Sequence, residues 1–109
     1  MLQLTFIIIN DNDIGEQALK ELSKAGFNGT VVPSTSLKHV LHDNEEMPMF
    51  ISLSHLESSE YKNNTCVFIL AEKERAKEIS TIIRSLTDDF KKCKGAIISL
   101  PVEYYEGSF

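Results

Sequence analysis

The chain has 109 residues, 42% of them hydrophobic and 25% charged, which is ordinary for one globular domain with one core. A formal net charge of −5 excludes the broad basic face of a general nucleic-acid or anionic-membrane binder, though not a local basic pocket. Five glycines and three prolines are too few for a long disordered tail.

The first predicted element is a strand over Leu2 to Ile9. Leu2, Leu4, Phe6 and Ile8 face one way, and Gln3, Thr5, Ile7 and Ile9 face the other. The polar run Asn10 to Asp13 breaks it. Asp13 followed by Glu16 reads as a capping box, and carboxylates suit the positive end of a helix dipole. Ile14, Ala18, Leu22 and Ala25 recur at helical spacing, with Leu19 beside them, and Gly26 reads as the left-handed stop. Thr30 to Val32 begins a second strand that Pro33 ends or marks as an edge.

Thr65 to Ala71 is the third predicted strand, and Glu72 to Leu86 the second helix, with Ala76, Ile79, Ile83 and Leu86 on one face and Ile82 beside it. Thr87 to Lys94 is a polar turn, and Gly95 to Val102 the last strand. The halves echo each other. Ile7-Ile8-Ile9 matches Val67-Phe68-Ile69 sixty residues on, and Leu19 and Leu22 match Ile79 and Ile82. A weak strand-helix-strand duplication predicts an α+β, ferredoxin-like β-α-β-β-α-β sandwich with an antiparallel sheet, as a single domain over 1–109.

Between the halves, 34–64 is a long connection, of the kind that is functional or mobile. Within it, Ser36 to Leu41 can form a helical turn and Phe50 to Ser54 a short strand. Met47, Met49 and Phe50 make an apolar knot that either meets a protein partner or packs on the parent fold. His39 and His42, spaced i and i+3 and followed by Asp43, could share a helical face and ligate a transition metal; solvent-exposed histidines in a polar loop are the alternative. The third histidine, His55, lies in the same segment. The tail Tyr104 to Phe109 is expected to dock on the body or on an adjacent subunit.

Cys66 and Cys93 form no C-x-x-C motif and read as two thiols kept reduced. The apolar start is too short for a membrane span and lacks the basic lead of a signal peptide, so a cytoplasmic protein is expected. No nucleophile elbow, phosphate-binding P-loop or dinucleotide fingerprint is present, so the pattern names no cofactor and the expectation is a binding module, not an enzyme.

Three predicted strands are apolar on both faces. Ile7 and Ile9 oppose Phe6 and Ile8; Val67 and Ile69 oppose Phe68 and Leu70; Ile97 opposes Ile98 and Leu100. Such strands need burial on both sides, and two helices on one face leave the other open. Either a second copy covers it or the central segment folds over it.

This order of elements, with a long connection in the middle, resembles the PII-like signalling proteins. The closing run Gly95-Ala96-Ile97-Ile98-Ser99-Leu100-Pro101-Val102-Glu103 is similar to the final strand of the PII-like cyclic di-AMP receptors. The resemblance implies a homotrimer that binds a small anionic effector in clefts between subunits and relays it to a protein partner through the long loop. Carried over by position, the cleft would hold Ser34, Thr35, Ser36 and Lys38 with Lys91, Lys92, Lys94 and Gly95. Hydroxyls and ammoniums suit phosphate or carboxylate groups. The alternatives are a metal-binding trimer of copper-tolerance type that uses His39, His42 and Asp43, a small ferredoxin-like enzyme, or an adaptor without a ligand.

Overall fold

A computed structural model describes residues 1–35, 37 and 64–108. Residues 36 and 38–63, with the histidines, Met47, Met49 and Phe50, and with them nearly all of the turn and the whole strand expected there, lie outside the described residues. The elements are β1 (Leu2–Ile9), α1 (Asn12–Lys24), β2 (Thr30–Ser34), β3 (Asn64–Glu72), α2 (Lys73–Thr87) and β4 (Gly95–Pro101). They form one antiparallel sheet of order β2-β3-β1-β4. Both helices pack against the sheet, which makes the fold the expected ferredoxin-like α+β sandwich.

Side-chain alternation along the strands decides what the helices cover. Thr5, Ile7 and Ile9 of β1 and Val67 and Ile69 of β3 are buried beneath α1 and α2, together with Ala18, Leu22, Phe27, Ile79 and Ile83. The intervening residues of each strand point to the opposite face. Register stacks them in rows: Leu70, Leu4 and Leu100; then Phe68, Phe6 and Ile98; then Val32, Cys66, Ile8 and Ala96. The Phe6 and Phe68 rings lie 5.8 Å apart, tilted by 50°. At the edge of this face Ile98 and Leu100 keep 46% and 49% of their surface exposed.

Helix α1 starts two residues earlier than the capping-box reading places it. Asp11 is the N-cap, and its Oδ1 accepts from the Ile14 amide at 2.9 Å, while Asp13 sits in the first turn. Asp11 wins because its backbone is extended where the strand ends, whereas Asp13 is already helical. Gly26 does end α1: its φ is +89°, and the Gly26 and Phe27 amides donate to the Ser23 and Leu22 carbonyls. Arg75 of α2 lies 4.2 Å over the Phe27 ring and donates to the Ala25 carbonyl, tying the two helices together.

The internal repeat is present with a slip. In the strands Ile7 pairs directly with Val67, as the sixty-residue offset requires for two antiparallel copies about a local two-fold. In the helices the buried triads are Gly15, Ala18, Leu22 and Ala76, Ile79, Ile83, which match one residue later than the sequence pairing of Leu19 with Ile79. Leu19 and Ile82 pack at the margin of the core instead.

Gly15 faces the start of β3 so closely that a Cβ would overlap the Thr65 side chain. Gly15→Ala is therefore expected to destabilise the domain by about 1–3 kcal/mol, the usual range for overpacking, despite alanine's better helix propensity. Urea unfolding checks this; unchanged or increased stability would contradict the close approach.

Candidate functional site

One end of the sheet gathers the ends of five elements: the close of β1, the start of α1, the close of β2, the start of β3 and the turn into β4. Most of the residues predicted to line a cleft lie there. Ser34 closes β2 and pairs with Asn64, so the strand ladder reaches both ends of the central segment. Gly95 opens β4 and pairs with Ile9. Thr35 follows Ser34, whereas Ser36 and Lys38 lie outside the described residues.

Among the described residues, Ser34 and Thr35 do not meet Lys91, Lys92, Lys94 and Gly95 within one chain. Pro33, Thr65, Ile9 and Gly95 form one row across the sheet, from the β2 edge to the β4 edge. Three strand spacings of about 4.8 Å separate the ends of that row by roughly 14 Å. Ser34 and Thr35 therefore sit at one edge, and Lys91, Lys92, Lys94 and Gly95 at the other.

The turn from α2 to β4 is unusual. Asp88, Asp89 and Phe90 all have positive φ, at 52°, 55° and 62°. Non-glycine residues resist this conformation, at a cost of order 1–3 kcal/mol each, so the surroundings must enforce it. Thr87, fully buried, does part of this: its hydroxyl donates to the Ile83 carbonyl at 2.8 Å and accepts from the Phe90 amide at 3.1 Å. Asp89 and Lys92 amides donate to the Arg84 and Thr87 carbonyls, and Lys91 to Asp88. Arg84 donates to Asp89 Oδ1 at 2.7 Å. Phe90 packs against the core margin, and a Cβ on Gly95 would overlap the Ile8 carbonyl.

This accounting limits how an anion could bind. The amides of Asp89, Phe90, Lys91 and Lys92 are all spent inside the turn, so these four cannot form a backbone cradle for a phosphate. What the turn offers outward is three exposed lysines, Lys91, Lys92 and Lys94. The start of α1 is likewise occupied by its own Asp11 carboxylate.

Cys66 and Cys93 are both free and half-buried. Burial, and then the charge of Asp11, pushes the Cys93 thiol above its ordinary range, which makes it a poor nucleophile. Asn64 Oδ1 is buried without a hydrogen-bond partner among the described residues. Among the described residues no group of three or more His, Cys, Asp or Glu side chains is placed to hold a metal; His39, His42 and Asp43 lie outside them. A cleft of about 190 Å³ between α1 and the β2 edge, with Leu19, Phe27, Val31 and Ile69 among its walls, is lined by no titratable side chain. No helix among the described residues is long and apolar enough to cross a membrane.

Sequence reasoning named the lysines and Gly95 at this turn but not Thr87, Arg84 and Phe90, which brace it. A threonine followed by two aspartates reads simply as a polar turn, and only the geometry reveals that it is a buried brace.

No family model and no curated protein matches the chain. Solved structures do resemble it. A functionally unknown protein from Pediococcus pentosaceus aligns with a TM-score of 0.63 at 15% identity, over 98% of this chain and 97% of that one. A DUF3240 family protein from Shewanella baltica aligns with a TM-score of 0.50 at 13% identity, over 98% and 96%. At such identities the likeness is one of fold.

Two outcomes are expected from this geometry. Thr87→Val keeps the shape but removes the hydroxyl that braces the turn, so it should cost about 1–3 kcal/mol in chemical denaturation. A neutral result would mean the left-handed turn stands without it. Asp11→Asn keeps the helix cap but removes the charge beside Cys93. Alkylation of Cys93 at fixed pH should then run faster than in the parent, and an equal or slower rate would contradict the assigned proximity.

Proposed function

We propose that the protein is a PII-like regulatory module: a symmetric oligomer that binds a small anionic effector between subunits and signals its state to a protein partner. The observation that carries this reading is the apolar sheet face opposite α1 and α2, whose central rows are Leu70-Leu4-Leu100 and Phe68-Phe6-Ile98 and whose β4 edge leaves Ile98 and Leu100 about half exposed among the described residues. A soluble chain rarely leaves such a surface to water. A second copy offers the same face, and closed symmetry covers both at once. Three subunits is the number the PII-like resemblance implies.

The effector site follows from the separation of its halves. Ser34 and Thr35 lie at one sheet edge and Lys91, Lys92 and Lys94 at the other, at the same end of the sheet. Oligomerisation can bring one copy's hydroxyls toward the next copy's lysines, which makes a composite pocket for a phosphate- or carboxylate-bearing ligand. The central segment leaves the sheet at Ser34 and returns at Asn64, next to that pocket. A ligand that favours one arrangement of this segment by differential affinity would present or withdraw Met47, Met49 and Phe50 to a partner. Lysine side chains supply the anion contacts in this reading, since the amides of Asp89, Phe90, Lys91 and Lys92 are spent inside the turn; this favours ligands whose charge can be met by flexible ammoniums.

The test is a thermal-shift series with nucleotides, cyclic dinucleotides, carboxylates and bicarbonate on the parent chain and on Lys92→Ala/Lys94→Ala. Stabilisation by an anionic ligand that the double variant loses is the expected result. No response from any anion, or an equal response from the variant, would overturn the effector site. Separately, Phe68→Lys places a charge in the middle of the open face without touching the helix side. It should release monomers in size exclusion, whereas an unchanged elution volume would contradict burial of that face.

A further inference from the structure

The two edges of the sheet are not equivalent, and the difference can be read from the ladder. Alternate residues of an antiparallel strand turn their N–H and C=O groups to a given neighbour. The Asn10 amide donates to the Lys94 carbonyl at 2.8 Å and the Val102 amide to the Leu2 carbonyl at 3.0 Å. With the β1–β4 register, these bonds set the even-numbered residues of β4 toward β1. Gly95, Ile97 and Ser99 therefore direct their N–H and C=O groups away from the sheet, and Pro101 its carbonyl.

At the other edge, the Lys73 amide donates to the Met1 carbonyl at 2.9 Å. This sets the odd residues of β3 toward β1 and the even ones toward β2. Val31 and Pro33 of β2 thus face outward, and Pro33 has no N–H to offer. The β2 edge is blunted by a proline one residue from its end. The β4 edge carries no proline before Pro101 and no charge from Gly95 to Val102, and unguarded edges of this kind template strand addition.

The flanks of β4 say what adds to it. Lys91, Lys92 and Lys94 precede the strand, and Glu103 and Glu106 follow it beside the exposed Tyr104 and Tyr105. The turn also contains Asp88, and Asp89, which Arg84 already engages. A seven-residue strand keeps the lysines and the acidic tail about 23 Å apart, so they cannot meet within one chain. An antiparallel copy of β4 reverses the order and lays each acidic tail along the other copy's lysines.

We propose that the β4 edge pairs antiparallel with β4 of a second copy, about a two-fold axis near Ile97 and Ile98, with Glu103 and Glu106 of each copy against Lys91, Lys92 and Lys94 of the other. The pairing is isologous, so each rung and each charge contact occurs twice. It is a surface separate from the open sheet face. If both are used, the two-fold and the axis of face packing generate a dihedral assembly with an even number of subunits.

Amide hydrogen exchange on the full chain tests the edge directly. In the assembled protein the amides of Gly95, Ile97 and Ser99 should be protected like those of Ile98 and Leu100, and should lose that protection on dilution. Free exchange at these odd positions in an assembled sample would overturn the proposal, as would a subunit count of three. Such a trimer would leave the face-packing reading standing, whereas a dimer with protected odd amides that is indifferent to Phe68→Lys would remove face packing and keep the edge. Charge exchange gives a second arm. Lys91→Glu/Lys92→Glu/Lys94→Glu and Glu103→Lys/Glu106→Lys should each weaken association by about tenfold or more at low salt, and together restore it. A combined variant no better than either alone would contradict the tail-to-turn contact.

Discussion

Strand β1 sits in the middle of the sheet and is apolar on both sides, yet α1 and α2, the helices that pack on it among the described residues, cover only one. Ile7 and Ile9 lie under α1 and α2, while Leu4, Phe6 and Ile8 point the other way among Phe68, Leu70, Ile98 and Leu100. Much else follows from that imbalance. It makes β3, the partner of β1 across the local two-fold, apolar on both faces as well. The candidate residues at the sheet end lie at opposite edges, because the row that joins them runs the full width of the sheet.

The same end of the sheet holds a run of constrained backbone. Three consecutive residues with positive φ are fixed by a buried threonine, an arginine–aspartate pair and three backbone bonds. This bracing orients a basic turn at the start of an uncharged edge strand while using up the amides that could otherwise cradle a phosphate. In the proposed function the lysines answer for anion affinity and the sheet faces for assembly. In the edge pairing the same lysines also meet the neighbour's acidic tail, so an anionic effector and that tail compete for one set of ammoniums.

Much of the fold was legible in the sequence because its signals are local and periodic. The two-residue alternation of Leu2 to Ile9, the helical stripe through Ala18 and Leu22, and Gly26 as a stop all correspond to observed contacts. Of the two readings of Pro33, the edge holds and the strand end does not: β2 runs on to Ser34 at the margin of the sheet, where a missing donor is tolerable because no neighbour needs it. The cap moved from Asp13 to Asp11 because several carboxylates competed, and backbone direction, not spacing, chose among them. The helix repeat slipped by a residue because Gly15 and Ala76 are small, so they carry little weight in a hydrophobic pattern although both are buried. The site was legible only in part. Lysines and Gly95 stand out by type, but the role of Thr87 depends on a left-handed turn that no residue preference foretells. That Ser34 and Lys94 lie at opposite edges depends on strand order.

In the proposed assembly another copy of the same chain covers the sheet face opposite α1 and α2. Sedimentation equilibrium of the full chain, across low micromolar concentrations and at moderate salt, measures this most directly. A single species at a whole multiple of the monomer mass is the predicted result. A protein that stays monomeric throughout would contradict it, and with it both the composite effector site and the pairing of β4 edges.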